Sequence, residues 1–230
     1  VSRQAKQRKD AHAAPRVPAR PKPPASLELA TSPEHDLAHE ATLRRLGFDE
    51  IDLSGQEADL ARFEQCRFTR ATLSGVRLSG ASFVDCRVEH SDWSNLSCDR
   101  SHLMRVEVTA SRLTGVHWID GALRDVTFRE CRMDLAVFRY TTFKDVAFVD
   151  CNLSRADFTH ADLRGAHFTG CDLSGAQFAQ ANAQGARFTR CELVGLGSVA
   201  SLQGSVISAN DLAPLAHTLA AALGIVIAQE

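Results

Sequence analysis

The side chains able to do chemistry in this chain are its seven cysteines, nine histidines and 28 carboxylates. Cys131, Cys151, Cys171 and Cys191 stand 20 residues apart, Cys66 and Cys86 repeat that interval, and Cys98 stands alone. There is no CxxC pair, and thiols in a straight ladder cannot surround a tetrahedral zinc. Parallel side chains about 4.8 Å apart also miss good disulfide geometry. The spacing predicts buried small hydrophobes. His90, His102, His117, His160, His167 and His217 have no nucleophile and orienting group at a motif interval, and they read as solvent-facing. Glycine-rich phosphate loops and HExxH are missing from the text of the sequence. These patterns point to no catalytic residue, no metal and no cofactor, so the chain reads as a non-enzyme. The densest acidic group is Asp145, Asp150, Asp157, Asp162 and Asp172, interrupted by Arg155 and Arg164.

What would position these groups is a unit of five residues. From residue 51 the chain reads IDLSG, QEADL, ARFEQ, CRFTR, and later CNLSR, ADFTH, ADLRG, AHFTG, CDLSG. The middle residue is apolar in all 29 units from Leu53 to Leu193, without insertion or deletion. The residue two before it is small or apolar, with Leu96 a bulky exception and Gln56 a polar one. Helices repeat every 3.6 residues and lone strands every two, so either would leave many of these side chains in water. A period of five with two inward positions needs a corner every five residues. Four corners close a square coil of 20 residues, and stacked coils bury what one unit cannot. Residues 51–208 then form a β-solenoid of about eight coils, on the order of 38 Å long. Phe128, Phe148, Phe168 and Phe188 are predicted to stack on one wall, Phe138, Phe158 and Phe178 on the opposite one, and Met133, Leu153, Leu173 and Leu193 in another column.

The flanks read differently. Residues 1–30 are expected to be a disordered, basic, proline-rich arm: residues 1–27 carry seven Lys or Arg, one Asp and five prolines. Residues 31–50 are expected to hold a capping helix with Leu37, Ala41, Leu43, Leu46 and Phe48 on its apolar face, started by Ser32 and Pro33 and stopped by Gly47. Residues 31–60 reverse the sign of the arm, with eight acidic and two basic residues, which raises an arm-to-cap contact. After Leu193 the frame loses one residue between Gly195 and Val199, and Leu202 and Ile207 resume it. Residues 209–230 then read as a capping helix begun by Asn210 or Asp211, with Pro214 in its first turn, followed by Gly224 and a short strand IVI. Leu212, Leu215, Leu219 and Leu223 give that helix more apolar surface than one cap needs, and a two-fold homodimer is expected there.

The units ADFTH, ADLRG and CDLSG resemble the pentapeptide-repeat family across residues 51–208. That resemblance implies a right-handed quadrilateral β-helix. The ending GSVISANDLAPLAHTLAAALGIVI is similar to the C-terminal cap of the gyrase-interacting branch, the mycobacterial-type and Qnr fluoroquinolone-resistance proteins. It implies end-to-end dimers that mimic DNA and bind DNA gyrase or topoisomerase IV, with Asp157, Asp162 and Asp172 foremost in standing in for phosphates. The unbroken frame leaves no room for Qnr-type projecting loops, so the mycobacterial type is the better match. The charge count points the other way: residues 61–195 hold 17 basic and 16 acidic residues, with Arg62, Arg67, Arg70, Arg77 and Arg87 in the early coils. The rival class is a scaffold or adaptor that binds an unrelated protein through its walls. A continuous negative stripe would favour the first, and a mixed surface with an exposed apolar patch the second. A net charge of −2 gives no pull toward nucleic acid or an anionic membrane, and no direct nucleic-acid binding is expected. No apolar stretch follows the basic start, and no run is long enough to span a bilayer. The expected setting is cytoplasmic, with reduced thiols.

Overall fold

A computed structural model describes residues 16–226. The chain winds as a parallel β-solenoid of about nine turns. Each coil pairs with the coil 20 residues on, as in Val108 with Phe128, Phe128 with Phe148, and Phe148 with Phe168. All 31 central residues from Leu43 to Leu193 are buried. The predicted phenylalanine columns are ring stacks: 5.0 Å for Phe128–Phe148 and for Phe148–Phe168, and 5.3 Å for Phe138–Phe158.

The corners follow the same clock. Every fifth residue from Glu40 to Gly195 has a positive φ, between 46° and 99°. Only nine of these 32 corners are glycine, although an L-residue pays about 1–2 kcal/mol in this region. Coil stacking offsets that cost, because corner amides bond to the next coil, as in Arg155 N to Ser174 O and Tyr140 N to Thr159 O.

Gly121 answers to space, not to φ. It holds the small inward position beside fully buried Trp118, and a Cβ there would stand 2.8 Å from the Ser101 carbonyl and 2.9 Å from Trp118 Cδ1. Gly121→Ala is expected to destabilise the fold by roughly 1–3 kcal/mol through overpacking. Urea unfolding followed by tryptophan fluorescence measures this.

The N-terminal capping helix is not formed. Residues 31–50 hold a turn at residues 32–35 and two strands, Thr42–Arg44 and Leu46–Asp49. Four of the five residues assigned to a helical face belong to two further repeat units: Leu43 and Phe48 are centres, with Ala41 and Leu46 two before them. Positive φ at Glu40, Arg45 and Glu50 rules out a helix. The solenoid therefore starts about ten residues earlier than expected. A two-residue strand, Glu28–Leu29, pairs in parallel with Leu46 and Gly47 and covers part of the open edge. Ala30 and Leu37 pack against the core.

Residues 1–15 of the expected arm lie outside the described residues. Residues 16–27 have no regular secondary structure but run along the rod, tied to it by hydrogen bonds from Ala19 and Lys22. This departs from a free arm. It also replaces the arm-to-cap contact with an arm-to-rod one.

At the other end Phe188 pairs with Ile207, an offset of 19, whereas Gln177 still pairs with Gly197 at 20. The missing residue is thus taken up just after Gly197, at the 3-10 turn Val199–Leu202. The C-terminal helix spans Leu212–Ala222 with Pro214 as its third residue. Gly224 (φ 69°) ends it, with Gly224 N donating to Ala221 O and Ile225 N to Ala220 O, a Schellman closure. Ile225 and Val226 form no strand, and Ile227 lies outside the described residues.

Candidate functional site

The 20-residue coil decides which side chains meet. Asp157, Asp162 and Asp172 belong to three separate bridge ladders, through Val137 and Gln177, Thr142 and Asn182, and Asn152 and Glu192. Asp145 and Asp150 sit at two different corners. The five candidates are therefore spread around the rod and form no stripe. Asp157, Asp162 and Asp172 have a local task instead: each Oδ1 accepts the backbone N–H two residues on, from Thr159, Arg164 and Ser174. Asp52, Asp92, Asn152 and Asn182 do the same. This is the Asx turn that bends the chain into its corner.

Arginines take up the charge of two of them. Arg139 Nε lies 2.6 Å from Asp157, and Arg164 Nη2 lies 2.5 Å from Asp162. Burial raises the Asp157 carboxyl, but hydrogen bonds from Thr159 and Arg139 outweigh it and hold the group below the ordinary carboxylate value. Hydrogen bonding from Arg164 does the same for Asp162. Pairs one coil apart recur on the walls, among them Arg77–Glu57, Arg87–Glu107 and Arg112–Asp92.

All seven cysteines are buried and free. Six of the thiols reach back to the preceding coil: Cys131 Sγ donates to Val108 O, Cys151 to Phe128 O, and Cys66 to Leu43 O. The neighbouring thiol of Cys131 pushes that of Cys151 up to about 12, and Cys151 does the same to Cys171. Burial raises Cys86 and Cys98. Interaction with the neighbouring thiol, Cys151 for Cys131 and Cys86 for Cys66, holds these two below the ordinary value. Native protein at neutral pH is therefore expected to leave the thiols unreactive toward a soluble disulfide reagent, with Cys66 and Cys131 the first to respond and all seven titrating in denaturant. Mass mapping of the first adduct checks the order. Among the described residues no three His, Cys, Asp or Glu side chains gather to hold a metal, and no helix is long and apolar enough to cross a membrane.

The exposed apolar side chains include two sets of neighbours, apart from Val17, Leu29, Leu60 and Val194. Asp211, just before the C-terminal helix, and Leu215 and Thr218 on it are buried against the rod. Thr218 Oγ1 donates to Leu193 O (3.2 Å) and accepts from Gly195 N (3.1 Å). Leu212, Leu219 and Leu223 point outward, joined by Ile225 and Val226. Leu215, expected in the dimer interface, is instead 6% exposed and covers the last coil. The second set lies at neighbouring corners of one wall, where Leu135 and Tyr140 are both at least half exposed. The Tyr140 ring stacks on His160 at 4.6 Å.

A third feature was missed in the sequence. Gln65, Asp85, Arg105, Asp125 and Asp145 differ by 20 and stack as one corner column. Asp85 and Asp125 are 8% and 6% exposed. Arg105 holds Asp85 through two hydrogen bonds of 2.7 Å and depresses its carboxyl. Residues 16–24 lie on this column. Ala19 N donates to Asp125 Oδ1 (2.9 Å), Lys22 N to Asp85 Oδ1 (3.0 Å), and Gln65 Nε2 to Lys22 O (3.3 Å). Arg16 Nη1 is 3.1 Å from Asp145.

Comparison with known proteins agrees with this architecture. The family model for the pentapeptide repeat region matches residues 101–178 and 121–197, and that for pentapeptide repeats (8 copies) matches residues 48–83. No curated protein sequence matches the chain. Among solved structures, HetL, a pentapeptide repeat protein involved in heterocyst differentiation regulation from the cyanobacterium Nostoc, is similar with a TM-score of 0.51. Its identity is 17% over 73% of this chain and 85% of its own. QnrB1, a plasmid-mediated fluoroquinolone resistance protein, gives a TM-score of 0.41 and 22% identity over 82% of this chain and 99% of its own. A pentapeptide repeat protein from the Arabidopsis thaliana thylakoid lumen gives 0.32 and 24%, over 51% and 68%. At these identities the likeness is one of fold. The family models together span more than half of the sequence, and the unit they describe is the one whose central residues fill the core: the chain belongs to the pentapeptide-repeat family.

Proposed function

We propose that the chain is a non-catalytic protein-binding rod, a scaffold or adaptor that dimerises through its C-terminal helix. The observation that carries this reading is the contrast on its surface. Many wall carboxylates are committed to corner turns or to arginines, while Leu135, Tyr140, Leu212, Leu219 and Leu223 stand exposed. A mixed, internally paired wall does not resemble a duplex backbone, whereas exposed aromatic and aliphatic groups are what protein partners bury. DNA gyrase and topoisomerase IV, implied by the likeness of the C-terminal cap, would have to meet this rod as a protein surface and not through a column of phosphate-like charge. A cytoplasmic setting goes with the proposal, since seven free thiols suit a reducing compartment.

The test is quantitative affinity capture with the wild-type chain and with a Leu135→Asp, Tyr140→Asp wall variant of unchanged circular dichroism. Partners enriched by the first and lost by the second support the reading. Equal capture by both removes this wall from it. A gyrase supercoiling assay runs alongside. No inhibition is expected, and inhibition at low protein concentration would make a topoisomerase the partner.

A further inference from the structure

We propose that the corner column Gln65–Asp85–Arg105–Asp125–Asp145 is a recognition track for basic polyproline-II segments, and that residues 16–24 are its resident ligand. The argument begins with a match of two periods. A polyproline-II helix has three residues per turn and rises about 3.1 Å per residue, so three residues advance about 9.3 Å. Two solenoid coils advance about 9.6 Å at the usual strand spacing. Ala19 and Lys22 are three residues apart, and their amides bond to Asp125 and Asp85, which are two coils apart. The segment therefore advances in step with every second coil.

Burial has the same period. Pro18 and Pro21 are buried and Pro24 is half-buried, while Val17, Ala19, Arg20, Lys22 and Pro23 face out. One side of a three-residue helix is thus pressed on the rod. Its prolines fix φ near the required value, which lowers the entropy lost on docking. Polyproline II leaves its own amides unbonded, and the track supplies acceptors for the two that point inward. The acceptors are carboxylates, so the bonds are charge-assisted. Arg16 adds an ion pair to Asp145 at 3.1 Å. The chemistry selected is a Pro-x-x-Pro segment with a basic residue two before the first proline, running from later coils toward earlier ones.

Because the ligand is tethered, it holds the site against a free peptide with an effective concentration in the millimolar range. Another chain's segment gains the track only when the resident one is weakened or drawn away. The rod then exchanges its own arm for a partner's.

The test uses full-length chains. The probe is a fluorescent peptide of residues 14–25, and the control has the same composition with its prolines rearranged. The probe is expected to bind a Pro18→Ser, Pro21→Ser chain at least tenfold more tightly than the wild type, whose own arm competes. Adding Asp85→Ala and Asp125→Ala to that chain is expected to abolish binding. Alanine already occupies one such corner, Ala110 with φ 46°, so these substitutions suit the backbone. Asp125→Ala alone serves if Arg105, left without Asp85, disturbs the fold. In the wild-type chain the amides of Ala19 and Lys22 are expected to be protected from hydrogen exchange, and to lose that protection in Asp125→Ala. Equal binding of probe and control would reduce the track to simple charge attraction and overturn the proposal. So would unprotected amides in the wild type, or no binding to the opened chain.

Discussion

Phe148→Ala is expected to destabilise the protein by about 3–5 kcal/mol and to break its cooperativity. Phe148 is fully buried. Its ring stacks on Phe128 and on Phe168 at 5.0 Å each, and meets Phe138 edge-on at 6.2 Å. Truncation opens a cavity in the middle of a column and removes both stacking partners, which are worth about 0.5–1.5 kcal/mol per pair beyond burial. The position matters as much as the volume. In a solenoid each coil touches only its neighbours, so stability is a sum of coil terms and interface terms. A hole at a central interface uncouples the two halves. Urea unfolding of Phe148→Ala is therefore expected to show a lower midpoint and a broader transition, with the tryptophans Trp93 and Trp118 reporting only the early coils. Phe188→Ala, with one column neighbour at 4.9 Å, should cost less and leave the early coils cooperative. Arg129→Ala on the outside should fall within about 0.5 kcal/mol of the wild type. A Phe148→Ala chain that unfolds with wild-type midpoint and slope would refute the stacked-column account.

The solenoid was legible because its period is enforced by burial at every coil. Leu53 to Leu193 read as centres and are centres. The same rule failed upstream, where Ala41, Leu43, Leu46 and Phe48 satisfy a helical face as well as they satisfy the five-residue clock. What decides between them is left-handed backbone at Glu40, Arg45 and Glu50. None of the three is glycine, so the composition carried no sign of it. The acidic candidates do not come together, for another reason. Asp157, Asp162 and Asp172 are close in sequence, but in a 20-residue coil only residues 20 apart share a column. Subtracting 20 would have separated them, and would have found Asp85, Arg105, Asp125 and Asp145 in a line. The docking of residues 16–24 was beyond composition altogether. It depends on the advance of one element matching that of another, and neither element shows it alone.

The largest effect on assembly is expected from the C-terminal helix. Leu212, Leu219 and Leu223 are 57%, 38% and 74% exposed, and Ile225 and Val226 extend the patch. The helix cannot turn this stripe inward, because Leu215 is already seated on the last coil and Thr218 is bonded to both Leu193 O and Gly195 N. A stripe held outward at the end of a rod is self-complementary about a two-fold axis, where each leucine row meets its copy. Wild-type protein is accordingly expected to sediment at twice the 25.0 kDa chain mass. Leu212→Asp with Leu219→Asp places four carboxylates per dimer in that contact without cationic partners, since the helix Leu212–Ala222 contains no Lys or Arg. Burying unpaired charge is far more costly than losing leucine area, so the dissociation constant should rise by at least about 100-fold, near 2.7 kcal/mol. The rod itself should keep its unfolding midpoint, because both positions lie outside its core. Thr218→Val supplies the contrast. It leaves the stripe intact but frees the helix from the coil, so both the dimer and the last coil should weaken together. Sedimentation equilibrium across a dilution series separates the cases: a monomeric wild type would leave the stripe without its proposed occupant, and a dimeric Asp variant would move the interface elsewhere on the rod.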